Sequence, residues 1–137
     1  WINGTHGGTY GGGSTLPLAA ANATIQTIID EELIQNAHRQ GHYLIKALSG
    51  MKNRFNVLGD VRGLGLMIGT EFTKANGEPD FEMTKKVQNK CLEKKLLLLS
   101  CGTYLNTIRW IPPLIITKEQ VDQAVTIFED SIQESQN

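Results

Sequence analysis

The 137-residue chain holds only two cysteines, Cys91 and Cys101. They are too few for a disulfide framework and have no companions at zinc-ligand spacing. Two free thiols in a reducing compartment, and so a cytoplasmic location, are the expectation. Long hydrophobic runs are missing as well. No stretch approaches the ~20 apolar residues needed to span a bilayer, and none has the layout of a signal peptide. Net charge is nearly absent too. Thirteen basic residues face fourteen acidic ones, for a formal charge of -1, which argues against a basic nucleic-acid-binding face. It leaves small anions open, because one well-placed arginine can hold a carboxylate. Internal repeats, low-complexity tracts and charge runs do not occur. What remains is a globular composition, 40% apolar and 20% charged, in a chain long enough for one domain with a modest core.

Glycine is concentrated at the start. WINGTHGGTYGGG carries six glycines in its thirteen residues and predicts a loop through residue 17. The chain opens inside that loop without a methionine, which points to a piece of something longer. From Leu18 to about Leu48, apolar residues at Leu18, Ala21, Ile25, Ile28, Ile29, Leu33, Ala37, Leu44 and Leu48 keep three- and four-residue steps. That spacing predicts one long amphipathic helix, with Gly41 a soft point. Its apolar face is larger than so small a domain readily covers.

VLGDVRGLGLMIGTEF (57–72) reads as two strands with glycines where the chain turns or passes close to a neighbour. Asn76-Gly77 marks a turn, and Pro79-Asp80 opens a helix to about Lys94. LLLLS (96–100) predicts a buried strand and NTIRWI another, stopped by Pro112-Pro113. Thr117 and Gln120 form a capping box before a last helix with Val121, Val125, Phe128 and Ile132 on its apolar face. A frayed tail is expected from Gln133. The pattern predicts an α+β fold: a long helix, then a small two-layer domain with a mixed or antiparallel sheet.

Few residues carry candidate chemistry. The glycine loop can form a nest of backbone N–H groups for a phosphate, with Thr9 adding a hydroxyl, or it can be a plain lead-in. Its spacing matches neither common nucleotide-binding fingerprint. His38 and His42 share a helix face at i, i+4 but lack a third ligand, so exposed or core-edge histidines are expected and no metal site is assigned. Arg109 stands in an otherwise apolar strand. Either it holds a ligand carboxylate through its planar fork, or it lies on the wet face paired with a local acid. Arg62 poses the same choice, and there the structural ion pair is favoured.

Three segments in order, HGGTYGG (6–12), VRGLGLMIGTEF (61–72) and CGTYLNTIRWIPPLIIT (101–117), resemble the C-terminal third of class III aminotransferases dependent on pyridoxal 5'-phosphate (PLP). The run CGTY…N…IR…PPL is most similar to the 4-aminobutyrate aminotransferase branch, and the resemblance covers nearly the whole chain. It implies the C-terminal part of a PLP fold type I enzyme. Residues 1–17 would be an active-site and interface loop of the large domain, 18–49 the interdomain helix, and 50–137 the small domain. It further implies a homodimer in which Thr9, with Gly8 allowing close approach, binds the cofactor phosphate held by the partner subunit. Arg109 would clamp the α-carboxylate of the substrate. The implied reaction moves an amino group from an ω- or α-amino acid, 4-aminobutyrate favoured, to 2-oxoglutarate.

The sequence departs from that family at Gly13-Ser14, where the usual Asn and its small neighbour are replaced, and GSTLPLAAA runs about one residue longer. The Schiff-base lysine, the aspartate for the pyridine nitrogen and the stacking aromatic would lie upstream of Trp1 in the large domain. The resemblance thus places no catalytic residue in this chain, which alone is expected to be inactive. A standalone carboxylate-binding or regulatory domain, and a dimerising module with a decayed site, are the competing readings.

Overall fold

The computed structural model of the protein describes residues 15–136. The described residues fall into two compact units that divide between Ile34 and Gln35. In the first, α1 (Thr15–Asp30) starts two residues before the expected loop ends. Pro17 fits its first turn because a helix leaves those N–H groups unpaired in any case. None of the residues of α1 is buried.

The single helix expected from Leu18 to Leu48 is two helices. Glu31 N–H still bonds the Thr27 carbonyl (3.0 Å), but Glu32 N–H reaches only three residues back, to Ile29 (3.2 Å). Glu32 has φ 50°, in the left-handed region, and this stops α-helix propagation. Asp30, Glu31 and Glu32 put three carboxylates at the junction. There they oppose the negative end of α1 and suit the positive start of the next helix. That helix, α2, runs Leu33–Met51.

In the second unit the strands are β1 (Leu58–Leu64), β2 (Met67–Phe72), β3 (Leu99–Cys101) and β4 (Thr107–Trp110). They form one sheet in the order β1-β2-β4-β3, every neighbouring pair antiparallel. Helix α3 (Phe81–Glu93) is capped by Asp80, whose carboxylate accepts from Met83 N–H at 3.0 Å. Helix α4 (Lys118–Ser135) opens on the Thr117/Gln120 capping box with both reciprocal bonds made. It continues past Gln133 to Ser135, with Gln136 at its C-cap, so the expected fraying is not seen.

Alternation along β2 and β4 sends Ile68, Thr70 and Phe72, and Ile108 and Trp110, to one face. There they meet Leu44 and Leu48 of α2, Val87 and Cys91 of α3, and Val121, Phe128 and Ile132 of α4. Phe128 takes edge-on contacts from Trp110 (5.0 Å between centroids) and Phe72 (6.2 Å), each pair adding ~1 kcal/mol beyond area burial. Thr70 is one of five buried polar residues and is satisfied: its hydroxyl accepts from Trp110 Nε1 at 3.3 Å.

LLLLS differs from the expected buried strand. Leu98 is buried, whereas Leu97 and Leu99 are 73% and 50% exposed. The strand is an edge, paired only with β4, so only alternate residues reach the core. It is also short, since the Leu98 carbonyl accepts from Gln88 Nε2 (2.8 Å). Gly41 is a packing point, not a soft one. A Cβ there would stand 2.1 Å from the Gly65 carbonyl oxygen, and Gly65 itself has φ 54° in the β1–β2 turn.

Candidate carboxylate-binding site

The neighbours of Arg109 in the chain decide where its side chain goes. Ile108 and Trp110 are 0% and 3% exposed on the core side, so the residue between them must point to the opposite face. There Arg109 is exposed. Its cross-strand neighbours are Gly69 on β2 and Leu99 on β3, one without a side chain and the other aliphatic. Among the described residues no carboxylate forms an ion pair with it, while Arg62 on the same sheet face holds two. The local-pairing alternative for Arg109 is therefore not what the structure contains.

Arg109 is among the residues lining a cavity of about 750 Å³, whose walls include Leu97, Leu99 and Ile111 and also Leu44, Trp110 and Val121 from the core side. It is the one charged side chain among the described lining residues. A cation against apolar walls keeps more of its Coulombic pull than one in open water. Its fork can accept both oxygens of a carboxylate at once. No lysine is among the described residues that line this cavity.

The wall after Arg109 is fixed by a contact that sequence reasoning missed. Asn36 on α2 donates from Nδ2 to the carbonyls of Leu114 (2.6 Å) and Ile116 (3.1 Å). Pro112 and Pro113 cannot donate to a ladder, so β4 ends at Trp110 and the chain turns, with Ile116 N–H on the Pro113 carbonyl (3.0 Å). The available signal was modest: asparagine is a poor residue for a helix interior, and one there has a reason to be elsewhere bonded.

Arg62 behaves as the favoured reading expected. Its Nη1 donates to Asp60 (2.9 Å) and Glu71 (2.6 Å). The bond from Arg62 holds the Asp60 carboxyl below its ordinary value, and Glu71 and then Asp60 raise that of Arg62. His38 and His42 are both exposed, and the described residues contain no cluster able to hold a metal ion. Cys91 and Cys101 are free thiols, Cys91 pushed up by burial. Among the described residues no helix is long and apolar enough to cross a membrane. Thr9 and Gly8 lie outside the described residues.

The chain is 45% identical over 117 residues to an alanine/serine racemase of Pyrococcus horikoshii, covering 85% of this chain and 25% of that protein. It is 38% identical over 123 residues to a 4-aminobutyrate aminotransferase of Mycobacterium leprae, covering 89% and 27%. Among solved structures, a transaminase from the marine bacterium Virgibacillus superposes with a TM-score of 0.84 at 35% identity, over 96% of this chain and 31% of that one. The chain thus spans roughly a quarter to a third of the length of the relatives it matches. The sequence model of the family described as aminotransferase class-III matches residues 1–132, and the chain belongs to that family.

Proposed function

We propose that this chain is the C-terminal segment of a PLP-dependent transaminase, in which Arg109 anchors the carboxylate of the amino acid and then of 2-oxoglutarate. The observation that carries the reading is the placement of Arg109: an unpaired guanidinium, among the described residues, on the wall of an otherwise uncharged, mostly apolar cavity. Two parallel N–H···O bonds to one carboxylate fix position and orientation together. Holding that end rigid presents the reacting carbon at one angle, which is where positioning enters the rate.

The cofactor reading rests on the family and on the donor chemistry of the opening loop. Closely spaced backbone N–H groups from Gly7-Gly8 and the Thr9 hydroxyl suit a phosphate. In the proposed homodimer they would hold the phosphate of the cofactor bound by the partner subunit. When bound, PLP supplies an electron sink for the substrate carbon that loses its proton. The lysine that holds its aldehyde and moves that proton is assigned to the large domain, outside this chain. The segment alone should therefore be inactive. Free thiols at Cys91 and Cys101 suit the proposed cytoplasmic location.

For the donor, the CGTY…IR…PPL segment favours 4-aminobutyrate. A second reading comes from the 45% identity to an alanine/serine racemase: the same carboxylate anchor serving inversion at the α-carbon, with no acceptor. Incubating the full-length protein with L-alanine separates the two. D-alanine appearing without 2-oxoglutarate favours racemisation; glutamate forming from 4-aminobutyrate plus 2-oxoglutarate favours transamination.

The test of the site itself is Arg109→Ala in the full-length protein. Losing a bidentate charge-assisted pair costs about 2–4 kcal/mol, or about 30- to 1000-fold in kcat/KM for the carboxylate substrate. The cofactor spectrum should stay. Unchanged KM and kcat would remove Arg109 from the role.

A further inference from the structure

The open face of the sheet carries charges in two adjacent rows. Arg62, Gly69 and Arg109 form one row across β1, β2 and β4, and Asp60, Glu71 and Thr107 form the next. Glu71 is thus diagonal to both arginines, Arg62 on one side and Arg109 on the other. Diagonal neighbours of this kind lie about 7–8 Å apart at Cα, which long side chains bridge. Gly69 itself places no side chain between them; the Thr107 methyl lies over it, 3.1 Å from where a Cβ would stand, so a bridge between Glu71 and Arg109 passes above that methyl. Glu71 is nevertheless engaged on one side only. It accepts from Arg62 Nη1 at 2.6 Å, the same nitrogen that donates to Asp60 at 2.9 Å. One guanidinium takes both carboxylates, and Arg109 is left without one among the described residues.

We propose that Arg62 is a positioning residue for carboxylate binding: by holding Glu71, it keeps that carboxylate off Arg109. The inference rests on Arg109 being the carboxylate anchor. A glutamate tethered one strand away competes as an intramolecular ligand, at an effective concentration no free substrate matches cheaply. If Arg62 released it, Glu71 would occupy the fork that the substrate needs. Asp60 cannot do the same, because β1 is two strands from β4, about 9.6 Å at the usual strand spacing. The four charges sum to zero, yet their pairing leaves the one cation beside the cavity exposed for a ligand.

The experiment is calorimetric titration of the full-length protein with glutarate, a dicarboxylate with no carbonyl to turn over. Arg62→Met removes the charge and keeps the aliphatic stem. It should weaken glutarate about fivefold, the equivalent of a ~1 kcal/mol exposed pair. Arg62→Lys should stay within about twofold of the unaltered protein. Adding Glu71→Gln to Arg62→Met should restore binding to within about twofold, since glutamine brings no charge to Arg109. Adding Asp60→Asn instead should restore nothing. An Arg62→Met protein that binds normally, or whose defect neither glutamine nor lysine relieves, or which Asp60→Asn rescues equally, overturns the proposal. Arg109→Ala in the same titration keeps the two ideas apart. If it leaves glutarate affinity intact, the anchor reading itself fails; if it abolishes binding while Arg62→Met does not weaken it, only the positioning role fails.

Discussion

Two glycines of α2 should respond to the same substitution with opposite signs. At Gly41 a methyl group would lie 2.1 Å from the Gly65 carbonyl oxygen, 2.2 Å from its carbon and 2.7 Å from its Cα. All three are backbone atoms, in a turn whose φ of 54° gives it little freedom to move. Restoring ordinary contact requires the helix and the turn to part by more than about 1 Å, and overpacking of that kind costs about 1–3 kcal/mol. Placed against backbone, it belongs at the upper end. Alanine recovers about 1 kcal/mol in helix propensity, so Gly41→Ala should destabilise by about 2 kcal/mol. At Gly50 a Cβ meets nothing within 4 Å. There Gly50→Ala keeps only the propensity gain, reduced near the helix end, and should stabilise by about 0.5 kcal/mol. Urea denaturation of both variants at pH 7 reads the difference. Equal changes, or a stabilised Gly41→Ala, would refute the close crossing of α2 over the β1–β2 turn.

Other consequences follow from the same contacts. Asn36→Ala removes two bonds to the Leu114 and Ile116 carbonyls; one end is solvent-exposed, so the loss should be about 1–2 kcal/mol in a urea melt. Because Ile116 lines the cavity, glutarate binding should weaken several-fold as well, and unchanged affinity would detach the clamp from the site. Asp60, lowered by its bond from Arg62, contributes stability that is present above its unfolded pKa of about 3.9 and lost as pH falls through the lower folded value. Both partners are about half exposed, which limits the effect to a few tenths of a kcal/mol. Asp60→Asn should thus be slightly less stable at pH 7 and indistinguishable by pH 2; a difference that grows on acidification would reverse the sign of the argument.

Local chemistry was legible in the residues. The Thr117/Gln120 box, the Asp80 cap and the strand pair in 57–72 each depend on groups a few positions apart, and all three form. The helix expected to be continuous failed at a similarly local signal of a different kind. Periodicity of apolar residues runs undisturbed through Ile29 and Leu33, and what interrupts the helix is three adjacent carboxylates with Glu32 at φ 50°. Apolar spacing records which face is covered, not whether the backbone between covered residues stays helical. LLLLS misled for a related reason. Four leucines suggest two covered faces, but a strand at the end of the order β1-β2-β4-β3 has only one.

The candidate site divides along the same line. Alternation through Ile108-Arg109-Trp110 permits a guanidinium on the face opposite the core but does not by itself choose between a ligand carboxylate and a local acid. Whether it met a local acid depended on register, because only the pairing of Gly69 with Arg109 and of Glu71 with Thr107 decides what stands beside it. A one-residue slip of β4 would send Arg109 into the core and bring Ile108 and Trp110 to the open face. That register is held by buried contacts on the other side of the sheet: Ile68 opposite Trp110, Thr70 opposite Ile108, and the Trp110 Nε1–Thr70 Oγ1 bond. The aim of the exposed cation is therefore set by side chains that never touch it. Asn36 lies 78 positions from Leu114 in the chain, and no periodicity connects such a pair. Its contribution to the wall of the cavity arises only from the tertiary packing of α2 beside the segment after Pro113.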